Sequence, residues 1–177
     1  DILPKMDFSK GIPDNYRTMV VIPTLLNSLH GIDDLVEHLE VRFLANRDAN
    51  LYFALLTDFK DAKEQVLPED KDLLLTVETK IIELNKKYNR KTNDIFFLFH
   101  RPRKWNIKEK VWMGHERKRG KLAELNKLIL NKEGHDFLSV IGDKDIYSTV
   151  KFIITLDTDT DLPRDTACKM AGALAHP

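Results

Sequence analysis

Residues 151–166 read Lys151-Phe-Ile-Ile-Thr-Leu-Asp-Thr-Asp-Thr-Asp-Leu-Pro-Arg-Asp-Thr166. Phe152 to Leu156 is a short apolar run with β-branched residues at its centre, the pattern of a buried strand. It ends in three acids at alternating positions, Asp157, Asp159 and Asp161. Acids at the carboxyl end of a buried strand lie where open α/β sheets bind ligands. Two carboxylates held close together repel unless a cation lies between them. Mg²⁺ or Mn²⁺ suits that arrangement, taking one or two carboxylates plus substrate phosphate oxygens. The expectation is a metal–diphosphate site of the Asp-x-Asp kind. An acid-rich turn is the plainer alternative, since Asp side chains bond their own local backbone. An EF-hand is excluded, because its sixth and twelfth positions counted from Asp157 hold Leu162 and Cys168 instead of Gly and Glu. An aspartyl-phosphate hydrolase with Asp157 as nucleophile would build most of its sheet after the motif, and only sixteen residues follow Asp161.

Working back from that stretch, other apolar runs fall into a βα rhythm. Thr18 to Ile22 reads as a buried strand closed by a Pro23-Thr24 turn, and Leu51 to Leu56 as a second strand with Thr57-Asp58 at its end. Asp94 to Phe99 reads as a third. Between them, Ile32, Leu35, Val36, Leu39 and Phe43 recur at helical spacing, as do Leu74, Val77, Ile81, Leu84 and Tyr88. A third helix is predicted from Lys121 to about Asn131, with Leu122, Leu125 and Ile129 inward. A last one starts at Pro163 and runs through Ala175. Residues 61–68 and 132–149 read as loops, and residues 1–17 as an irregular leader lying on the surface. The order β-α-β-α-β-α-β-α implies a Rossmann-like parallel sheet with helices on both faces, in one domain over residues 18–177.

At 177 residues, 42% hydrophobic and 32% charged, the composition is that of an ordinary globular domain. Net charge is zero, so the molecule as a whole is not an electrostatic reader of nucleic acid or membrane. A lone cysteine, Cys168, cannot form an internal disulfide and reads as packed in the last helix. No membrane span or signal peptide is visible. The six His residues show no metal-ligand spacing, and no Ser-His-Asp motif stands out. The missing initial Met and the abrupt Ala-His-Pro ending suggest a piece that continues beyond residue 177. One anomaly is a basic stretch, residues 101–121, with Arg101, Arg103, Lys104, Lys108, Lys110, Arg117, Lys118, Arg119 and Lys121 against Glu109 and Glu116. Phosphate binding ahead of a helix amino end ranks first for it, a solvated loop second, and a nucleic-acid groove with Trp105 and Trp112 a distant third. No nucleic-acid partner is expected.

Taken in order, Thr18-Met-Val-Val-Ile-Pro-Thr24, Leu56-Thr-Asp-Phe-Lys-Asp61, Gly120-Lys-Leu-Ala-Glu-Leu-Asn126 and Leu156-Asp-Thr-Asp-Thr160 resemble the amino-terminal, nucleotide-binding half of an inverting GT-A glycosyltransferase related to family 2. Longer stretches, Leu39 to Asp48, Phe53 to Ala62, Trp112 to Leu122, Thr155 to Thr166 and the leader's Leu3 to Phe8, resemble the glycosyltransferase family 84 segment of bacterial cyclic β-1,2-glucan synthases. The resemblance implies a processive, inverting transfer of glucose from UDP-glucose onto a growing β-1,2-glucan, with Mg²⁺ or Mn²⁺ as cofactor. By that resemblance Pro23 and Thr24 border the base, Asp58 binds the uracil edge, and Lys121 reaches the phosphates. Asp157 and Asp159 bind metal, Asp159 more directly and Asp157 nearer the ribose and sugar. Asp161 has no role in that pattern, and Arg101, Arg117, Arg119 and Arg164 are weaker candidates. No catalytic group falls within the chain, because the general base and the acceptor site would follow residue 177. The fragment would be soluble and inactive alone, within a parent protein at the cytoplasmic face of the bacterial inner membrane. The competing reading is a non-catalytic nucleotide-binding α/β module.

Overall fold

The computed structural model describes residues 4–131 and 135–177, so the leader's Leu3 and the start of the loop at 132–149 lie outside the described residues. Its centre is a five-stranded sheet of order β6-β3-β2-β1-β7. These strands are β1 (Thr18–Leu26), β2 (Leu51–Phe59), β3 (Phe96–Arg101), β6 (Ser139–Ile141) and β7 (Phe152–Thr155). Strands β3, β2, β1 and β7 run parallel, as the βα rhythm implies. Strand β6 is a departure: it pairs antiparallel with β3, making the sheet mixed at that edge. Three residues of moderate hydropathy carry too little periodicity to announce such a strand.

Alternating side chains feed two cores. Val20, Ile22, Phe53, Leu55, Phe96 and Leu98 pack under α1 (Leu29–Ala45), α2 (Asp70–Tyr88) and α4 (Thr166–Ala175). Met19, Val21, Tyr52, Ala54, Phe97 and Phe99 meet Leu125 and Ile129 of α3 (Arg117–Ile129) on the other face. Helices therefore do cover both faces, and β2 and β3 are buried along their whole lengths, as a two-sided sheet requires. The period of α1 is as read, with Ser28 Oγ capping the Gly31 amide at 3.0 Å. In α2, Leu73 is buried along with Val77, Ile81 and Leu84, while Leu74 is partly exposed.

Several boundaries shift, each for a physical reason. Strand β1 runs straight through Pro23 and Thr24 instead of turning there, pairing Pro23 with Leu56. Odd-numbered residues of β1 face β7, since Leu156 N–H donates to the Val21 carbonyl at 3.0 Å, and the β1–β7 pairing ends at Val21 with Thr155. Pro23, which lacks an N–H, thus points where no ladder bond is required. Strand β7 is an edge strand among the described residues and only Ile154 in it is buried, so it is not the buried strand its apolar run implies. Helix α3 begins four residues ahead of Lys121 and α4 three residues after Pro163. The leader is fastened instead of lying on the surface: Phe8 and Ile12 are buried in the core, and Met6 N–H donates to the Gly172 carbonyl at 2.9 Å.

The basic stretch folds into a hairpin, β4 (Lys104–Asn106) with β5 (Val111–Met113). Trp105 and Trp112 face each other across it with ring centroids 5.6 Å apart, a cross-strand pair that holds a two-stranded ribbon together. Paired bonds of 2.9 Å between Ala62 and Trp112 join it to the loop after β2.

Candidate functional site

Asp58 lies near the carboxyl end of β2 and is 2% exposed. Arg101, its register partner on β3, grips it bidentately through Nε at 2.8 Å and Nη2 at 3.0 Å. Lys121 Nζ sits 3.3 Å from Asp58 Oδ2 and donates to the Thr24 carbonyl at 2.8 Å. Burial pulls the Lys121 ammonium below its ordinary pKa, and the Asp58 charge opposes that. Arg101 also donates to the carbonyls of His115 and Arg117, so the same guanidinium ties the hairpin's exit to the first turn of α3. That exit is tight. Glu116 and Arg117 are left-handed, and a Cβ on Gly120 would meet the His115 carbonyl oxygen at 1.9 Å. Gly114 is equally constrained, because a Cβ there would fall 2.3 Å from Asp58 Oδ2.

A cleft of about 240 Å³ opens beside this triad. Pro23, Thr24, Asp58 and Lys121, which the sequence singled out separately, all line it, together with Asp61, Arg117 and Lys118. A larger cavity of about 600 Å³ lies by the leader and the start of β2, at the wrong end of the strands for an α/β ligand site. Two of its polar side chains are occupied in holding the leader, as Asp48 Oδ2 accepts from the Ile12 amide and Asn50 Nδ2 donates to the Ile12 carbonyl.

The acidic loop after β7 is held from behind by α1. Arg42, 7% exposed, donates to the Thr158 and Thr160 carbonyls at 2.8 Å each. Asn46 Nδ2 donates to Leu162 O at 3.0 Å, and its Oδ1 accepts from the Ala167 amide at 3.0 Å. With the carbonyls drawn inward, the Asp157, Asp159 and Asp161 side chains are exposed. Asp157 pairs with the Lys118 ammonium, and Lys118 in turn lines the cleft. Asp159 does not line the cleft and has no side-chain partner among the described residues.

Among the described residues no group of three or more His, Cys, Asp or Glu converges on one point. Asp157 and Asp159 nonetheless offer what a Mg²⁺ or Mn²⁺ ion bound partly through a diphosphate takes from a protein: two exposed oxygen donors on a braced loop, one of them already holding a cation. The remaining candidates divide. Arg101 is structural in its contacts, Arg117 bridges Asp61 at 3.0 Å and Glu109 at 2.9 Å, and Arg119 and Arg164 stand exposed.

One buried charge of the basic stretch, Arg103, is neither solvated nor phosphate-facing. Arg103 lies over the Phe59 ring at 4.8 Å, pairs with Asp70 and donates to Lys60 O at 2.7 Å. Sequence reasoning missed this because Asp70 is 33 residues away. His100, wholly buried, shares a 2.7 Å hydrogen bond between Nδ1 and Thr57 Oγ1 and meets Phe59 edge-on at 4.2 Å. Burial pushes its pKa down to about 4, Asp58 and Asp70 pull it up, and Arg103 and Lys121 push it down. An unfolded His takes a proton near 6.5, so the contribution is complete above that pH and is lost as pH falls from 6.5 towards 4. The gap corresponds to roughly 3 kcal/mol. Urea midpoints should therefore drop between pH 7 and pH 4.5, and His100→Gln should flatten the decline; parallel profiles would contradict this. Cys168 donates to the Phe8 carbonyl at 2.8 Å and burial pushes its thiol up, which fits the packed role read for it.

No protein-family model matches the chain. It is similar to cyclic beta-(1,2)-glucan synthase NdvB of Rhizobium meliloti (strain 1021), 43% identical over 171 residues. The match covers 97% of this chain and 6% of that protein, so the chain spans a small part of the length of this relative.

Proposed function

We propose that this chain is the nucleotide-sugar-binding part of a GT-A, family 84 glucosyltransferase that builds β-1,2-glucan from UDP-glucose. The observation that carries the reading is the cleft at the carboxyl ends of β1 and β2. It joins Pro23, Thr24, Asp58 and Lys121 and reaches Asp157 through Lys118. Similarity over 97% of the chain to a glucan synthase supports the same class of chemistry.

The residues divide the work by position. Pro23 and Thr24 form the wall against which a base rests. Asp58 accepts two hydrogen bonds from Arg101 and pairs with Lys121, leaving about one of a carboxylate's lone-pair sites for a uracil N–H. Lys121 holds Asp58 and the Thr24 carbonyl in place at the cleft wall, and Arg117 and Lys118 are the more exposed cations near a diphosphate. Breaking the anomeric C–O bond sends the electron pair onto the departing diphosphate, where fixed positive charge counts most. A divalent ion on Asp157 and Asp159, when bound, would neutralise part of that charge. The base that deprotonates the incoming hydroxyl, and the acceptor site, belong to the remainder of the parent protein, which we place at the cytoplasmic face of the inner membrane. No helix of the described residues is long and apolar enough to cross a membrane.

Calorimetry tests this directly. UDP should bind the chain with a Kd of about 0.1–1 mM in the presence of Mn²⁺, and much more weakly after chelation. No heat with either Mg²⁺ or Mn²⁺ present would reject the assignment.

A further inference from the structure

We propose that Lys118 is a built-in counter-ion that occupies Asp157 until a divalent cation and a nucleoside diphosphate arrive, and then transfers its ammonium to the diphosphate. The proposal rests on the nucleotide reading of the cleft and adds a coupling to it. Of the cations lining the cleft, Lys121 is buried against Asp58 and the Thr24 carbonyl. Arg117 is shared between Asp61 and Glu109. Lys118 alone among them reaches across to the acidic loop, and both partners of that pair stay open to water, at 50% and 62% exposure.

Exposed ion pairs of this kind contribute little to stability, so this one can open without disturbing the fold. The carboxylate cannot follow the lysine, because Arg42 holds the carbonyls of the loop that carries it. Lys118 can move: its ammonium rides on a flexible four-carbon stem at the first turn of α3. A divalent ion reaching Asp157 meets a like charge in the ammonium and must displace it. The diphosphate that accompanies the metal supplies the negative charge to which the displaced ammonium moves, inside a cleft that Lys118 already lines. Metal and diphosphate thus bind with positive coupling, since each removes an obstacle to the other.

The signature is a pair of opposite changes in one variant. Lys118→Met should raise the affinity for Mn²⁺ alone about 2–5-fold, read from water-proton relaxation, because the competing cation is gone. The same variant should bind UDP about 3–10-fold more weakly at saturating Mn²⁺ in calorimetry. Lys118→Arg, which keeps the charge, should restore UDP affinity and leave Mn²⁺ binding near that of the native chain. An unchanged Mn²⁺ affinity in Lys118→Met, or a change of both affinities in the same direction, would overturn the counter-ion role while leaving the nucleotide reading intact. A native chain that binds no UDP at saturating Mn²⁺ would overturn both.

Discussion

Under the proposed glucan-synthase function, Asp159→Ala in the full-length parent protein is expected to lower glucan synthesis by about 10²–10³-fold with no change in protein abundance. Asp159 is exposed, contributes no side-chain hydrogen bond or ion pair among the described residues, and sits on a loop whose shape is set by Arg42 contacts to backbone carbonyls. Replacing it should therefore shift folding stability by no more than about 0.5 kcal/mol, as at other surface positions. Any large loss of activity must then come from chemistry at the loop and not from a damaged fold. The measurement is glucan produced per mole of purified full-length protein supplied with UDP-glucose, alongside the amount of folded protein. Undiminished synthesis would remove the catalytic reading and leave the non-catalytic nucleotide module as the better account.

Replacing Asp58 should fail in the opposite way. Asp58→Ala leaves Arg101 and Lys121, 3% and 4% exposed, without their common anion. Stranding buried charge costs about 3–5 kcal/mol, a large part of the 5–15 kcal/mol that holds a typical domain together. Arg101 also anchors the His115 and Arg117 carbonyls, so the tight turn into α3 should loosen with it. Urea unfolding followed by far-UV circular dichroism should show the loss, and a midpoint within error of the native chain would refute it. The double change Asp58→Ala with Lys121→Met should recover part of the stability, because one stranded charge is gone. The Asp159 and Asp58 variants separate a residue that serves chemistry from one that serves both the fold and the cleft wall.

What was legible in the sequence was whatever repeats locally. The runs at 18–22, 51–56 and 94–99 and the helical periods of α1 and α2 announced the βα order and the two-sided burial. The four cleft residues were legible by resemblance in type and order, and their clustering follows from lying beside the carboxyl ends of neighbouring strands. The rest was hidden because it depends on partners far along the chain. Arg42 meets Thr160 across 118 residues, and Arg101 meets Asp58 across 43. Neither stretch carries a period or motif that names its partner. A buried guanidinium is tolerated only once that partner is in place, so the sequence showed a run of positive charge where the fold has internal ion pairs. The path of β1 through Pro23 follows the same logic, since the missing N–H is harmless only on the side β7 has already left.

The sequence by itself determined the class of fold, the faces of its helices and the chemical types gathered at the strand ends, because those follow from short-range spacing and side-chain polarity. The tertiary structure alone decided which charges are consumed in holding the cleft, Arg101 and Lys121, and which remain exposed beside it, Lys118 and its partner Asp157. A charge is spent or available according to its burial and its neighbours, and both are set by strand register and helix packing over the whole chain.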